Sequence, residues 1–321
     1  MNFLITGASG FIGIHLVKRL VKDGHFVRAV VRSSDIISLP QPGIEYIAIQ
    51  EQTESTDWSV PLLDIDVIVH LAERAHNSDN KLLNSLNEFR RVNVGNTLNL
   101  VHQSNHAGVR RFIYLSSIKV NGESTSNGRP FYVDDKPAPE DFYGLTKYES
   151  ELGLRAMLEK TGGMKFVIIR PPLVYGRGVK ANFLNLMRIV SLPLPLPFGA
   201  IKNQRSFVFI DNLTDLIVVC SHHPRAINEV FLVSDGGDIS TVNLLKMMAN
   251  ALGKSVRLFS IPIPAIYFLA FFFGGRKKVD RLCGSLQVDI SFTRERLDWE
   301  PRTSMAEGLR KVAQDFMGKS S

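Results

Sequence analysis

The chain is predicted to fold as an α/β protein, a doubly wound parallel sheet followed by a smaller C-terminal α/β region, on three observations. From residue 2 to about 115, short apolar runs alternate with longer amphipathic ones, the pattern of βαβ units. The first apolar run, Asn2-Phe3-Leu4-Ile5-Thr6, passes directly into the glycine cluster Gly7-Ala8-Ser9-Gly10-Phe11-Ile12-Gly13. After Pro171-Pro172 the texture changes, and the Leu-Pro run at 192–197 cannot be a central strand because alternate residues lack a ladder donor.

Taken in order, the candidate strands of the first part are 2–6, 26–31, 45–49, 66–71 and 111–116. Between the first two, Ile12, Leu16, Val17 and Leu20 form a helical stripe that ends at Gly24. Lys18, Arg19 and Lys22 gather near its C-terminus, where the helix dipole favours cations. A second helix covers about 87–107. A third follows the Pro137/Pro139 turn, carries Tyr143 to Glu159 and stops at Thr161-Gly162-Gly163, before a buried strand from Phe166 to Arg170. Strand-like Val208 to Ile210 and Glu229 to Val233 then alternate with helices near 211–222 and 241–252. The division expected is a dinucleotide-binding unit of 1–172 with about 213–237, and a substrate unit of 173–212 with 238–321.

With 321 residues, 45% of them hydrophobic, the chain can fill a sizeable core. Cys220 and Cys283 stand far apart without metal-ligand spacing, so neither a disulfide framework nor a zinc site is expected, and a reducing, cytoplasmic setting fits. The opening residues run at once into a strand and glycines, which reads as no export signal. The formal charge of +7 is spread along the chain, which argues against nucleic acid and suits a small anionic substrate. Residues 265–273 are apolar all round but fall short of the roughly 20 needed to span a bilayer. They read as a short buried helix with Pro264 near its first turn, peripheral membrane contact being the other reading.

The glycine cluster sits where a strand hands over to a helix. Gly7 permits a tight turn, Gly10 lets the backbone approach a pyrophosphate, and Gly13 lets helix and strand pack closely. Free N–H groups at the helix start then bind the anion, so Ser9, Phe11 and Ile12 are assigned to the cofactor loop of a Rossmann-type domain. The second strand ends in Val31-Arg32-Ser33-Ser34 and offers no carboxylate for a ribose 2′-hydroxyl. Arg32 is placed to pair with a 2′-phosphate, aided by Ser33 and Ser34, which favours NADP(H) over NAD(H). The alternative is that Arg32 stacks on adenine and both are accepted.

Tyr143 and Lys147 stand four apart at the start of a helix and share a face. A neighbouring ammonium lowers a phenol from its reference value of about 10, so the pair is expected to exchange a proton with a carbinol or carbonyl oxygen. Leu115-Ser116-Ser117 closes a strand ahead of them.

Together these pieces resemble the extended short-chain dehydrogenase/reductase family, in particular the group of UDP-galactose 4-epimerase that modifies nucleotide sugars. The likeness runs nearly the whole chain: Gly7 to Gly13, His70-Leu71-Ala72, Asn93-Val94, Leu115-Ser116-Ser117, Tyr143 with Lys147, Arg170-Pro171, Arg205-Ser206-Phe207-Val208 and Leu297-Asp298-Trp299. It implies that Ser117 hydrogen-bonds the sugar oxygen, Tyr143 is the acid/base, and Lys147 holds the ribose and tunes Tyr143. It places Leu71, Ala72, Asn93 and Pro171 on the cofactor, and Asn182, Arg205 and Arg281 at the substrate diphosphate. The residue-level alternatives are that Asn182 caps a helix beginning near Phe183 and that Arg205 makes an internal salt bridge. The helices near 93–107 and 143–159 resemble the pair through which the family forms homodimers.

Two departures narrow the reading. Family members that remove water across C5 and C6 follow the catalytic hydroxyl with Asp-Glu; here Ser117 is followed by Ile118-Lys119, so 4,6-dehydratase activity is not expected. On an extended segment Lys119 would leave on the same face as Ser117, toward the sugar, a solvated lysine being the alternative. The run Ser117 to Gly122 resembles bacterial enzymes that reduce UDP-4-keto-6-deoxy-GlcNAc to UDP-N-acetylquinovosamine for surface polysaccharide. The expectation is therefore a UDP-sugar C4 oxidoreductase, first a 4-keto reductase using NADPH. A 4-epimerase holding NAD is the alternative, and a non-catalytic dinucleotide sensor stands behind both.

Overall fold

The computed structural model describes residues 1–32, 43–73, 85–126, 128–272 and 276–318. Seven parallel strands form the main sheet: β1 (Asn2–Thr6), β2 (Phe26–Val31), β3 (Ile44–Ala48), β4 (Val67–His70), β5 (Arg111–Leu115), β6 (Lys165–Arg170) and, after two strands that pair elsewhere, β9 (Glu229–Leu232). Their order is β3-β2-β1-β4-β5-β6-β9, so the winding reverses between β1 and β4. The pair outside it, β7 (Leu173–Tyr175) and β8 (Phe207–Phe209), makes a small parallel sheet of its own.

The strands read as continuous apolar runs because both faces of the sheet are covered, and side chains alternate between two cores. Phe3, Ile5, Ile113, Leu115, Val167 and Ile169 face one core; Leu4, Phe112, Tyr114, Phe166 and Ile168 face the other. Helix α1 (Phe11–Lys22) buries Leu16, Val17 and Leu20 on the first face. The expected second helix is three pieces: α2 (Leu86–Phe89), a π-turn at Arg90–Gly95, and α3 (Asn96–His106). Helix α4 (Phe142–Thr161) packs with α3 on the second face and places Leu154 and Leu158 in that core. Its start is fixed by Asp141, whose carboxylate accepts the Gly144 N–H at 2.7 Å, and its end by Gly162 at φ +66°.

The remaining helices are α5 (Ala181–Ser191), α6 (Ile210–His222), α7 (Thr241–Ala251), α8 (Ile263–Phe272), α9 (Arg276–Cys283), α10 (Ser291–Leu297) and α11 (Met305–Gly318). α6 closes the first core beside α1, whereas α5, α7 and α11 surround Tyr175, Phe207 and Phe209 in a separate C-terminal core. The Leu-Pro run is a loop held by a single bridge between Leu196 and Leu258. α8 forms where an apolar helix was expected, but it is not wholly buried: Ile266 is covered while Phe268 is 65% exposed. No helix among the described residues is long and apolar enough to cross a membrane.

Candidate active site

The first half of the site lies at the carboxyl edge of the sheet where β1 and β4 diverge, the usual place for a ligand in an open α/β sheet. Gly7 leaves β1 at φ +66°, and a Cβ there would lie 2.8 Å from the Ala72 nitrogen. A Cβ on Gly13 would lie 2.3 Å from the Gly7 carbonyl oxygen, so α1 sits closer to the loop than any side chain allows. Gly10 begins α1 and no side chain caps it, which leaves first-turn N–H groups for an anion. A cleft of about 510 Å³ opens there, bounded by Gly7, Ser9, Gly10, Arg32, Leu71 and Ala72.

Two further residues on this wall answer the question of fit. The side-chain oxygens of Gln52 and Asn96 are buried and have no hydrogen-bond partner among the described residues. An unpaired buried acceptor costs about 1 to 3 kcal/mol, a cost that an adenine amine or a ribose hydroxyl would remove. The cradle therefore fits a dinucleotide. From the segment after β3, Glu51 lines the cleft and pairs with Arg91 at 3.2 Å.

Phe11 and Ile12 supply the first N–H groups of α1, while their partly buried side chains turn toward the C-terminal core. Other residues assigned to the cofactor are placed differently. Asn93 is buried in the π-turn with its amide nitrogen 3.3 Å from Thr146 Oγ1, and its neighbours Val92 and Asn96 face the cleft instead. The buried Pro171 receives the Ile118 N–H on its carbonyl at 3.0 Å. Ser33 and Ser34 lie outside the described residues.

Tyr143 and Lys147 project from the first turns of α4 toward the end of β5, where the Leu115 carbonyl accepts from the Lys147 ammonium. Lys147 is 2% exposed, and its ammonium lies 5.7 Å from the centre of the Tyr143 ring and 4.6 Å from that of Tyr114. The expected lowering of Tyr143 does not occur. Glu73, three residues beyond β4, forms the ion pair with Lys147 and accepts hydrogen bonds from Tyr143 and, at 2.9 Å, from Tyr114. Burial first, and then the Glu73 carboxylate, hold the Tyr143 phenol well above the usual value of 10. Burial likewise pushes the Lys147 ammonium down, with Glu73 opposing.

Ser117 caps a one-turn 3₁₀ helix, Ile118–Val120, its Oγ accepting the Lys119 N–H at 3.2 Å. That turn replaces the extended run expected at 117–119 and rotates Lys119 away from the Ser117 face. The Lys119 ammonium instead pairs with Glu123 at 2.6 Å and with Asp141, the capping residue of α4, so it anchors the helix that carries Tyr143. Beneath the turn, Arg170 and Glu151 form a buried pair with Nε to Oε1 at 2.9 Å; Glu151 also accepts from Ser116, and Arg170 donates to Asn121 at 3.0 Å.

The second half of the site is a pocket of about 260 Å³ that brings together Asn182, Arg205 and Arg281. α5 begins at Ala181 with Lys180 at its cap, so Asn182 is free of the capping role. Arg205 donates to the Gly284 carbonyl at 2.9 Å, and among the described residues no carboxylate pairs with it. Burial and the like charge of Arg281 bring Arg205 down to about 10, with the Glu123 carboxylate opposing. A path of charged contacts thus runs from the cleft through Glu73 to Tyr143 and Lys147.

Glu73, Glu51, Gln52 and Asn96 escaped the sequence analysis. The one signal that could have found the first three is position, since each closely follows a strand at the carboxyl edge of the sheet.

Comparison with known proteins gives the same frame. The profile of the NAD dependent epimerase/dehydratase family matches residues 3–234. A UDP-glucose 4-epimerase of Vibrio cholerae is 47% identical over 318 residues, covering 98% of this chain and 95% of that one. The crystal structure of UDP-glucuronic acid 4-epimerase from Bacillus cereus in complex with NAD superposes with a TM-score of 0.78 at 25% identity, over 98% of this chain and 96% of that one. The UDP-glucose 4-epimerase of Thermotoga maritima with UDP-glucose shares the fold at a TM-score of 0.78 and 22% identity, over the full length of both. With a glycine loop at the sheet's switch point, a Tyr143/Lys147 pair beside it and these matches, the chain belongs to the NAD-dependent epimerase/dehydratase family.

Proposed function

We propose that the protein is a UDP-sugar 4-epimerase that works with tightly held NAD. The observation that carries the reading is the Tyr143/Lys147 pair held by Glu73 on the wall of a dinucleotide cradle, with a second pocket that holds Arg205 and Arg281, in a chain 47% identical to a UDP-glucose 4-epimerase. That identity moves the epimerase ahead of the 4-keto reductase that the residues around Ser117 had put first. In the oxidising half, Tyr143 takes the proton of the C4 hydroxyl as C4 gives up hydride, and Ser117 hydrogen-bonds the same oxygen. In the returning half, Tyr143 gives the proton back after the sugar presents its other face. A bound nicotinamide supplies the hydride acceptor and donor. Lys147 holds Tyr143 and the ribose, and Asn182, Arg205 and Arg281 hold the diphosphate.

One observation favours the reductase as a second reading: Arg32 closes β2 on the cleft wall with no carboxylate on that strand end. The test is direct. Denatured protein should release NAD, and the native protein should interconvert UDP-glucose and UDP-galactose without added coenzyme. Release of no dinucleotide, with stoichiometric NADPH consumption on UDP-4-keto-6-deoxy-GlcNAc, would replace the epimerase by the reductase.

A further inference from the structure

The proton and hydride transfers at C4 leave Glu73 without a role. Its position is set by the backbone before it: the N–H groups of Leu71 and Ala72 each donate to Thr6 Oγ1 at 3.2 Å, which pins the exit of β4 against β1. The side chain is 8% exposed and lies on the wall of the dinucleotide cleft. Its carboxylate meets Lys147 and Tyr143 from α4 and Tyr114 from β5. The other titratable groups facing this cluster are committed elsewhere. His70 on β4 bonds Thr6 at 2.7 Å and Thr97 at 3.0 Å, and both burial and Lys147 keep it neutral. Glu151 is held by Arg170, and Asp141 by Lys119 and the Gly144 N–H.

Charge counting then separates the two halves of the reaction. An ammonium, a carboxylate and a neutral phenol sum to zero. Removing the phenol proton leaves a net negative charge in a site where burial already opposes it. Without the carboxylate, the ammonium and a phenolate would balance each other, which is the state a proton-abstracting tyrosine needs.

Resting on the reading of Tyr143 as the acid/base at C4, we infer that Glu73 is a positioning residue that keeps Tyr143 protonated. It thereby favours proton delivery to a C4 carbonyl oxygen over proton removal from a C4 hydroxyl. In the favoured half, C4 gains the hydride that a reduced dinucleotide supplies, O4 takes the Tyr143 proton as the carbonyl π bond breaks, and the tyrosinate regains a proton from solvent. Glu73 thus shifts an epimerase site toward the chemistry of a keto-sugar reductase.

The test uses Glu73→Gln, which keeps shape and removes charge, and Glu73→Asp, which keeps charge. Each is titrated by near-ultraviolet phenolate absorbance against the same protein carrying Tyr143→Phe, so that the difference isolates Tyr143 and needs no substrate. In the native protein and in Glu73→Asp, Tyr143 should show no phenolate below about pH 10. In Glu73→Gln its titration should fall by at least about one pH unit, about tenfold in the ionisation equilibrium. With UDP-glucose and a 4-keto sugar nucleotide as paired substrates at neutral pH, the ratio of oxidation to reduction should rise by a similar factor in Glu73→Gln alone. An unmoved Tyr143 titration in folded Glu73→Gln overturns the inference. A moved titration with no C4 turnover in any variant upholds the control of Tyr143 by Glu73 and sinks the proposed reaction instead.

Discussion

Replacing Arg170 by Met tests how far the active-site turn depends on the ion pair beneath it. Glu151 and Arg170 have side chains 2% and 5% exposed, and among the described residues the carboxylate without the guanidinium keeps the Ser116 hydroxyl. Removing one partner of a buried pair costs about 3 to 5 kcal/mol. In urea, at roughly 3 kcal/mol per molar, the midpoint should fall by roughly 1 to 1.7 M with an unchanged slope. Replacing Glu151 by Leu as well should restore most of the lost stability, because no buried charge remains. The reasoning fails if the single change moves the midpoint by less than about 0.3 M, or if the double variant is no better than the single one.

Three other outcomes are expected. Burial and Lys147 lower His70 to about 3, so its contribution to stability is present above about pH 6.5 and is lost as pH falls, by about 1.4 kcal/mol per pH unit; unfolding free energies at two pH values should show that slope in the native protein and not in His70→Asn. On the epimerase reading, Arg32→Ala weakens NAD(H) and NADP(H) alike, whereas a loss of about 1.5 to 3 kcal/mol confined to NADPH in direct titration identifies a 2′-phosphate contact and brings the reductase forward. Tyr143→Phe should reduce turnover by at least about 10²-fold with an unchanged circular dichroism spectrum, and near-normal turnover would remove Tyr143 from the chemistry.

Much of the architecture was legible because its causes are local or periodic. β1, β5 and β6 carry apolar residues on both faces and are bounded by turn residues, so their existence follows from composition over five or six positions. Tyr143 and Lys147 were legible because four residues make a helical turn. β7 was not, since three residues after two prolines carry no period, and its pairing with β8 is made more than 30 residues away. The π-turn at Arg90–Gly95 escaped for a related reason: its hydrogen-bond register leaves no mark on the hydrophobic pattern. The two misread side chains share one cause. Lys119 was placed from an assumed extended backbone that the 3₁₀ turn replaces, and Lys147 was given to Tyr143 and the ribose without Glu73, 74 positions earlier, which could not be seen to share it.

On the proposed function the site would bind its two anions by different physical means, and the difference bears on how the halves of the molecule cooperate. At the dinucleotide cradle, neutral backbone N–H groups at the start of α1 face a wall that carries Glu51 and Glu73, so the loop is complete without a counter-ion. Glycine is needed there for close approach. In the second pocket the opposite holds: Arg205 is partly buried beside the exposed Arg281, and the carboxylate of Glu123 opposes the like charge. A partly desolvated guanidinium beside a second cation is unfavourable until an anion joins them. On the proposed function, the diphosphate of the sugar nucleotide supplies that missing charge. Because Arg205 leads into β8 and Arg281 rides on α9, a single anion there would join two separate elements. On that reading the dinucleotide enters a preformed cradle, while the sugar nucleotide completes the pocket that receives it.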